Sequence, residues 1–286
     1  MERTPASATQ FPAEQARPKA SLVRAFLDFA GSRVIQWMDR AHELIAFSLI
    51  ATGVTVTKFN IAPRVIRPLV RAQIYRAGVR LLPMIGFLGC ALGLIIIGQT
   101  VSLLTRVGAH TLIGTLMVTV VIRELGPLLT AVVVLARVGA ATVVELGTSR
   151  AQGEVEALEA LGIDPIHYLV VPRMWGLAVS VFALTIYFVL VALLSGYLFA
   201  FLQDVPLPPP EYFRQLASAL RWEDFVMLTL KSAAFGIIIA VVCCYQGLAK
   251  PLRIEEVPAA TTRAVVSSVV ACVLLDAVFI VAYLLI

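Results

Sequence analysis

Four charged residues lie where the surrounding sequence is too apolar to solvate them: Arg123, Glu124, Lys231 and Asp276. An ionised side chain at mid-bilayer costs about 2.5–3.5 kcal/mol on insertion scales, so four of them facing hydrocarbon unpaired would cost on the order of 10 kcal/mol. They must face protein or water. Two positive and two negative charges cancel, and their depths along their segments are compatible with pairing. Such a set supports two readings. It is a polar patch that lines a substrate path or latches one conformational state, or it is a static ion-pair network that only fixes helix packing. Pro127, three residues after Glu124, removes a backbone donor and predicts a bend beside the charges.

A second candidate region is 139–162, GAATVVELGTSRAQGEVEALEALG. Val144, Thr148, Ala151, Val155 and Leu158 recur at helical spacing, with Glu145, Arg150, Glu154, Glu156 and Glu159 around them. This predicts a short amphipathic helix ended by Gly162 and Asp164-Pro165. Too acidic to favour an anionic bilayer, it is expected to dock on a protein; the plainer alternative is a solvated connector. A third set is small. Gly89 and Gly93 stand in GxxxG spacing, which permits close helix approach within the chain or dimerisation, and Gln99 is the one amide of its segment and is placed to face a cavity.

Catalytic motifs are missing. There is no GxxxxGK[ST] for ATP, no HExxH or His/Cys cluster for a metal, and no GxSxG. The three histidines, His42, His110 and His167, are far apart. The four cysteines have no CxxC spacing and read as small hydrophobes. The chain is therefore expected to be no enzyme and to hold no cofactor or metal of its own.

The elements that must position these residues follow from composition. Of 286 residues 59% are apolar and 14% charged, with a mean hydropathy of +0.90. A soluble domain carries about twice that charge, so the bilayer is the solvent to reason about. Five segments have the roughly 20 mostly apolar residues that a spanning helix needs: about 81–105, 111–138, 174–203, 225–249 and 264–286. The fold class is thus an all-α integral membrane protein. Residues 1–20 contain no apolar signal-peptide core and read as a disordered tail. Residues 21–80 read as basic interfacial helices, with 45–57 as an in-plane helix or half of a sixth span.

The basicity is concentrated at the start, where residues 1–80 hold 12 Lys and Arg against 5 Asp and Glu. Aromatic residues are not interleaved with these cations, so anionic lipid is a better partner than nucleic acid. The positive-inside bias then predicts a cytoplasmic N-terminus and, after five spans, an external C-terminus, with 139–162 and the loop near Lys250 cytoplasmic. No repeat or paired broken segment of the kind seen in inverted-repeat transporters is present.

Arg123-Glu124-Leu125-Gly126-Pro127, Ala136-Arg137-Val138-Gly139-Ala140, Glu145-Leu146-Gly147-Thr148-Ser149-Arg150, Ala157-Leu158-Glu159-Ala160-Leu161-Gly162-Ile163-Asp164-Pro165 and Val171-Pro172-Arg173 resemble the MlaE/YrbE permease family. So does 260–266, followed by Asp276. The resemblance covers roughly 35–286. It implies the permease subunit of a lipid ABC transporter in the bacterial inner membrane: a homodimer of five-span subunits, bound to cytoplasmic ATPase subunits that carry ATP and Mg and to a periplasmic Mce-domain ring. It also implies an outward-opening cavity for phospholipid at the dimer interface, for which Gly89, Gly93 and Gln99 are candidates, and a coupling helix over 139–162. Arg123, Glu124, Lys231 and Asp276 match family positions implicated in transport. A membrane scaffold that recruits a cytoplasmic partner and an ion-coupled secondary transporter are the alternatives from other classes.

Overall fold

The computed structural model describes residues 42–55, 57, 63–108, 113–202, 208–248 and 253–285. The tail and the first half of the interfacial stretch lie outside these residues. Of 1–45, only the first turn of a helix, His42–Thr55, is described. Residues 46–286 form one unit, all-helical among the described residues.

Five helices are long and apolar enough to cross a membrane: span one Arg64–Val101, span two Gly114–Ala151, span three Ile166–Phe199, span four Trp222–Leu248 and span five Ile254–Leu285. All five expected segments are present, yet spans one and two run to 38 residues each, roughly 57 Å at 1.5 Å per residue. A hydrocarbon core is only ~30 Å thick. Apolar windows find the part of a helix inside lipid and miss its continuation beyond. In span one the overhang is the basic Pro63–Ala77 segment, kinked from the apolar part at Gly78. In span two it is Ala140–Ala151. The two overhangs meet at one end of the bundle, where Glu145 is 2.9 Å from Arg173 and 3.7 Å from Arg76.

The helix expected over 139–162 is divided. Its first half continues span two, and the chain then turns at Gly153, whose φ of +76° only glycine adopts without strain. A short helix, Glu154–Ala160, follows. It ends where the sequence predicts: Gly162, again at φ +76°, donates to Glu159 O at 2.9 Å, and Ile163 donates to Leu158 O at 3.0 Å, the paired bonds of a Schellman stop. Asp164 Oδ1 then accepts from the Ile166 and His167 amides and caps span three, with Pro165 at its first position.

Span three is the hub. It packs against spans one, two and four, while span five packs against spans four and two. Spans one and five hold fewer buried residues than the other three. The contact between spans one and three is close because the former offers glycines. A Cβ on Gly89 would lie 3.1 Å from Phe188 O, and one on Gly93 would lie 2.3 Å from Ala192 O and 2.2 Å from Ser195 Oγ. Ser195 in turn donates to Cys90 O at 3.3 Å. The GxxxG spacing therefore serves packing within the chain. At the opposite end of the bundle from Glu145, a helix Pro209–Ala219 is tied to span three through Tyr212, which is buried, donates to Leu193 O at 3.4 Å and has its phenol pushed up to about 12 by that burial.

Gly93→Val is expected to lower the thermal unfolding midpoint of the purified protein by an overpacking cost of about 1–3 kcal/mol. Gly53→Ala, which meets nothing within 4 Å, is expected to leave the midpoint unchanged or raise it. Equal midpoints for the two variants would reject the packing role of Gly93.

Candidate functional site

Glu124, Lys231 and Asp276 reach one depth from three helices. Lys231 lies nine residues into span four, Glu124 ten into span two, and Asp276 nine from the end of the antiparallel span five. All are thus roughly 14 Å from the same end of the bundle at 1.5 Å per residue. There Lys231 Nζ stands 2.8 Å from Glu124 Oε2, 2.7 Å from Asp276 Oδ1 and 3.0 Å from the main-chain carbonyl of Arg123. Two of these contacts are hydrogen bonds, to Glu124 and to the carbonyl, and Asp276 is held beside them as an ion pair. Its side chain is 5% exposed, against 35% for Glu124, so the carboxylate of span two is the wetter side of the cluster.

Arg123 goes elsewhere. Its guanidinium donates from Nη2 to Asp224 Oδ2 at 3.2 Å, and Nε lies 2.8 Å from Oδ1 as an ion-pair contact. It also lies 4.1 Å from the centroid of the Tyr283 ring, within cation–π range. Tyr283 Oη donates to Asp224 Oδ1 at 3.4 Å, and the Arg221 amide donates to Asp224 Oδ2 at 2.9 Å. Asp224 is buried, and a hydrogen bond between ionised partners is stronger than one between neutral groups.

The site has two tiers. Asp224 precedes Lys231 by seven residues on span four, and Tyr283 follows Asp276 by seven on span five. Seven residues are two helical turns, about 10 Å along the axis and back on the same face. The outer tier is Arg123, Asp224 and Tyr283; the inner is Glu124, Lys231 and Asp276. Adjacent residues of span two serve both. That stretch, Val118–Leu125, is π-helical and leads into Pro127, so the bend expected at Pro127 has its counterpart in a widened turn. Such turns recur at functional sites. A cavity of about 180 Å³ opens on both tiers, completed by Thr119, Leu228 and Phe279.

Glu124, Lys231 and Asp276 are thus brought together, while Arg123 pairs with Asp224, partners that composition could not assign. Asp224 was missed. It falls just before the apolar window of span four, but its spacing of two helical turns from Lys231 was a signal that it shares that residue's face. With Asp224 included, the five formal charges sum to −1 rather than zero. The other candidates lie apart. Gln99 is exposed on span one, and Gly93 borders a small apolar void with Leu125 and Phe188, away from the ionic cluster. At the other end of the bundle Glu154, Glu156 and Glu159 are exposed around the buried Val155, and Arg150 is 3.3 Å from Glu156. Glu145 is half-exposed but engaged with Arg173 and Arg76. Beside them a cleft of about 330 Å³ is lined by Phe47, Arg150, Glu159, Asp164 and Leu248.

A bundle of five apolar helices with an ionic cluster opening on a cavity defines a multi-pass membrane protein. The comparisons narrow that class: residues 70–282 match the family model described as Permease MlaE, and the chain belongs to the MlaE permease family. It is 29% identical to a probable ABC transporter permease protein of Rickettsia felis, over 83% of this chain and 90% of the relative. Over 57% of this chain and 62% of the relative, it is 40% identical to a probable ABC transporter permease protein of Synechocystis. It is 26% identical to the intermembrane phospholipid transport system permease protein MlaE of Haemophilus influenzae, over 84% and 90% of the two chains.

Removing one partner of a buried ion pair leaves an uncompensated charge, at about 3–5 kcal/mol when burial is complete. Because Arg123 is 21% exposed, Asp224→Ala is expected to cost less, about 2 kcal/mol, read as a lower unfolding midpoint. Replacing both, as Arg123→Met with Asp224→Leu, is expected to recover most of that loss. A double variant as unstable as the single one would show that the pair is not the stabilising unit.

Proposed function

We propose that the chain is the permease subunit of an ABC transporter that moves phospholipid, or a closely related lipid, between a bacterial inner membrane and a periplasmic Mce-domain ring. The observation that carries this reading is the two-tiered ionic cluster opening on a cavity in a chain of the MlaE permease family. Relatives named as ABC transporter permeases, and one named for intermembrane phospholipid transport, support it.

In this reading two copies pair through the spans with the least covered faces, one and five, and enclose the lipid between them. The N-terminus is cytoplasmic and the C-terminus periplasmic, so the ionic cluster lies in the outer half of the membrane. ATP and Mg are bound by separate ATPase subunits, which grip the acidic Glu154–Ala160 helix. Closure of the ATPases drives these helices together as rigid levers, and the bundle repacks around the cavity. The inner tier biases that repacking: Lys231 cannot leave Glu124 without exposing an ammonium to hydrocarbon, so only arrangements that supply another partner or water are accessible. Glu154, Glu156 and Glu159, with exposed Leu161 and Ile163 beside them, form the docking surface. Glu145 is a poorer candidate for docking than its neighbours because it already joins the ends of three spans.

In a reconstituted complex, Lys231→Met and Glu124→Gln are each expected to abolish ATP-dependent lipid transfer to acceptor vesicles while the complex still assembles. Undiminished transfer would remove the cluster from the mechanism. Glu159→Lys is expected to reduce co-purification of the ATPase, whereas full recovery would reject the docking surface. ATPase activity unresponsive to lipid would favour a scaffold, and dependence of transfer on an ion gradient would favour secondary transport.

A further inference from the structure

The third ligand of Lys231 is a main-chain carbonyl in the middle of a membrane helix, where carbonyls are normally occupied. In an α-helix Arg123 O accepts from the N–H of residue 127. Residue 127 is proline, which has no N–H and whose ring crowds the carbonyl four residues back. The turn before it is already widened, with the Gly126 amide donating to Val121 O, five residues away. In that five-residue register residue 127 faces Ile122 O and in the α register Arg123 O, so the proline leaves one of these two carbonyls without its amide in an apolar bundle, where no water replaces it. Of the two, Arg123 O is the one given another donor, Lys231 Nζ at 3.0 Å, from a helix that reaches span two from the side.

We infer that Pro127 is a positioning residue for the inner ionic tier: by withholding the amide that Arg123 O would otherwise accept, it makes that carbonyl the third ligand of Lys231 and fixes the ammonium between Glu124 and Asp276. Two carboxylates alone define a line along which an ammonium can slide toward either partner. A third acceptor off that line, fixed to the backbone, defines a point. Pro127 itself is buried and touches none of the charges through a polar atom, so it acts only through the carbonyl. One residue of span two thereby holds both charges of span four, Asp224 through the Arg123 side chain and Lys231 through the Arg123 main chain. This inference rests on the reading of the cluster as part of the transport machinery.

Pro127→Ala is the direct test, because it removes a helix breaker and so leaves folding intact or improved. With an amide restored at 127, Arg123 O turns back into the helix ladder and Lys231 loses a ligand. Lipid transfer by the reconstituted complex is expected to fall about tenfold, the scale of one hydrogen bond to a charged group, with assembly and unfolding midpoint retained. A readout that general helix straightening would not move is the ζ-nitrogen resonance of Lys231 in permease labelled with 15N-lysine. The chain has four lysines, Lys19, Lys58, Lys231 and Lys250, so the Lys231 signal is the one that Lys231→Met removes. It is expected to shift in Pro127→Ala while the other three stay in place. An unshifted Lys231 resonance, or wild-type transfer by Pro127→Ala, would overturn the assignment. Wild-type transfer by Lys231→Met would instead refute the role of the cluster, and the resonance would still decide whether Pro127 sets the ligand.

Discussion

An ammonium with three N–H bonds and three oxygens within 3.0 Å of it organises this bundle. Lys231 is carried by span four, but its ligands belong to span two, twice, and span five. Hydrocarbon offers no substitute for any of them. Where those three helices meet, their axial register is therefore set: shifting any one by a single residue would carry its oxygen about 1.5 Å along the axis, enough to break a 2.8 Å contact. The outer tier repeats the constraint two turns away with a different chemistry, a planar guanidinium gripped by a carboxylate and backed by an aromatic face.

The remaining helices solve a separate problem by separate means. Span one has no ionic tie to the bundle in its apolar part. Its hold on span three is steric, created by glycines whose missing side chains admit the Phe188 and Ala192 carbonyls. In a membrane, where apolar side chains gain little by leaving lipid, close approach of this kind is the main source of cohesion. The bundle thus has a side secured by charge, among spans two, four and five, and a side secured by shape, between spans one and three. Span two belongs to the first and touches the second through Gly126, which lies against Val189 of span three.

Much of this was legible in the sequence. Charges in apolar runs announce themselves because their cost in lipid is large, and Glu124, Lys231 and Asp276 do meet. What composition could not supply was the pairing, which depends on helix order and rotation. Arg123 turned out to prefer Asp224, a residue that a hydropathy window discards as loop although it starts the helix. The same blindness placed the end of span two at 138, because the criterion measures greasiness and the helix continues in polar residues to Ala151. The division at Gly153 is a backbone event that periodicity of side chains passes over. Glu145 illustrates a different limit: its type and spacing suggested docking, and only the fold reveals that Arg173 and Arg76 already compete for it. The link from Pro127 to Lys231 was out of reach, since it joins an absent N–H to a side chain more than a hundred residues away.

The short acidic helix owes its pose to backbone turns more than to the chemistry of its exposed face. Left-handed glycines stand just before and just after it, Asp164 and Pro165 set the next segment, and Val155 is its one buried anchor. Its outward residues can change without altering the angle at which it is presented. Contact chemistry and presentation are thereby uncoupled: substitutions on the outward face change what the helix can recognise, while the angle at which it stands is kept by the backbone.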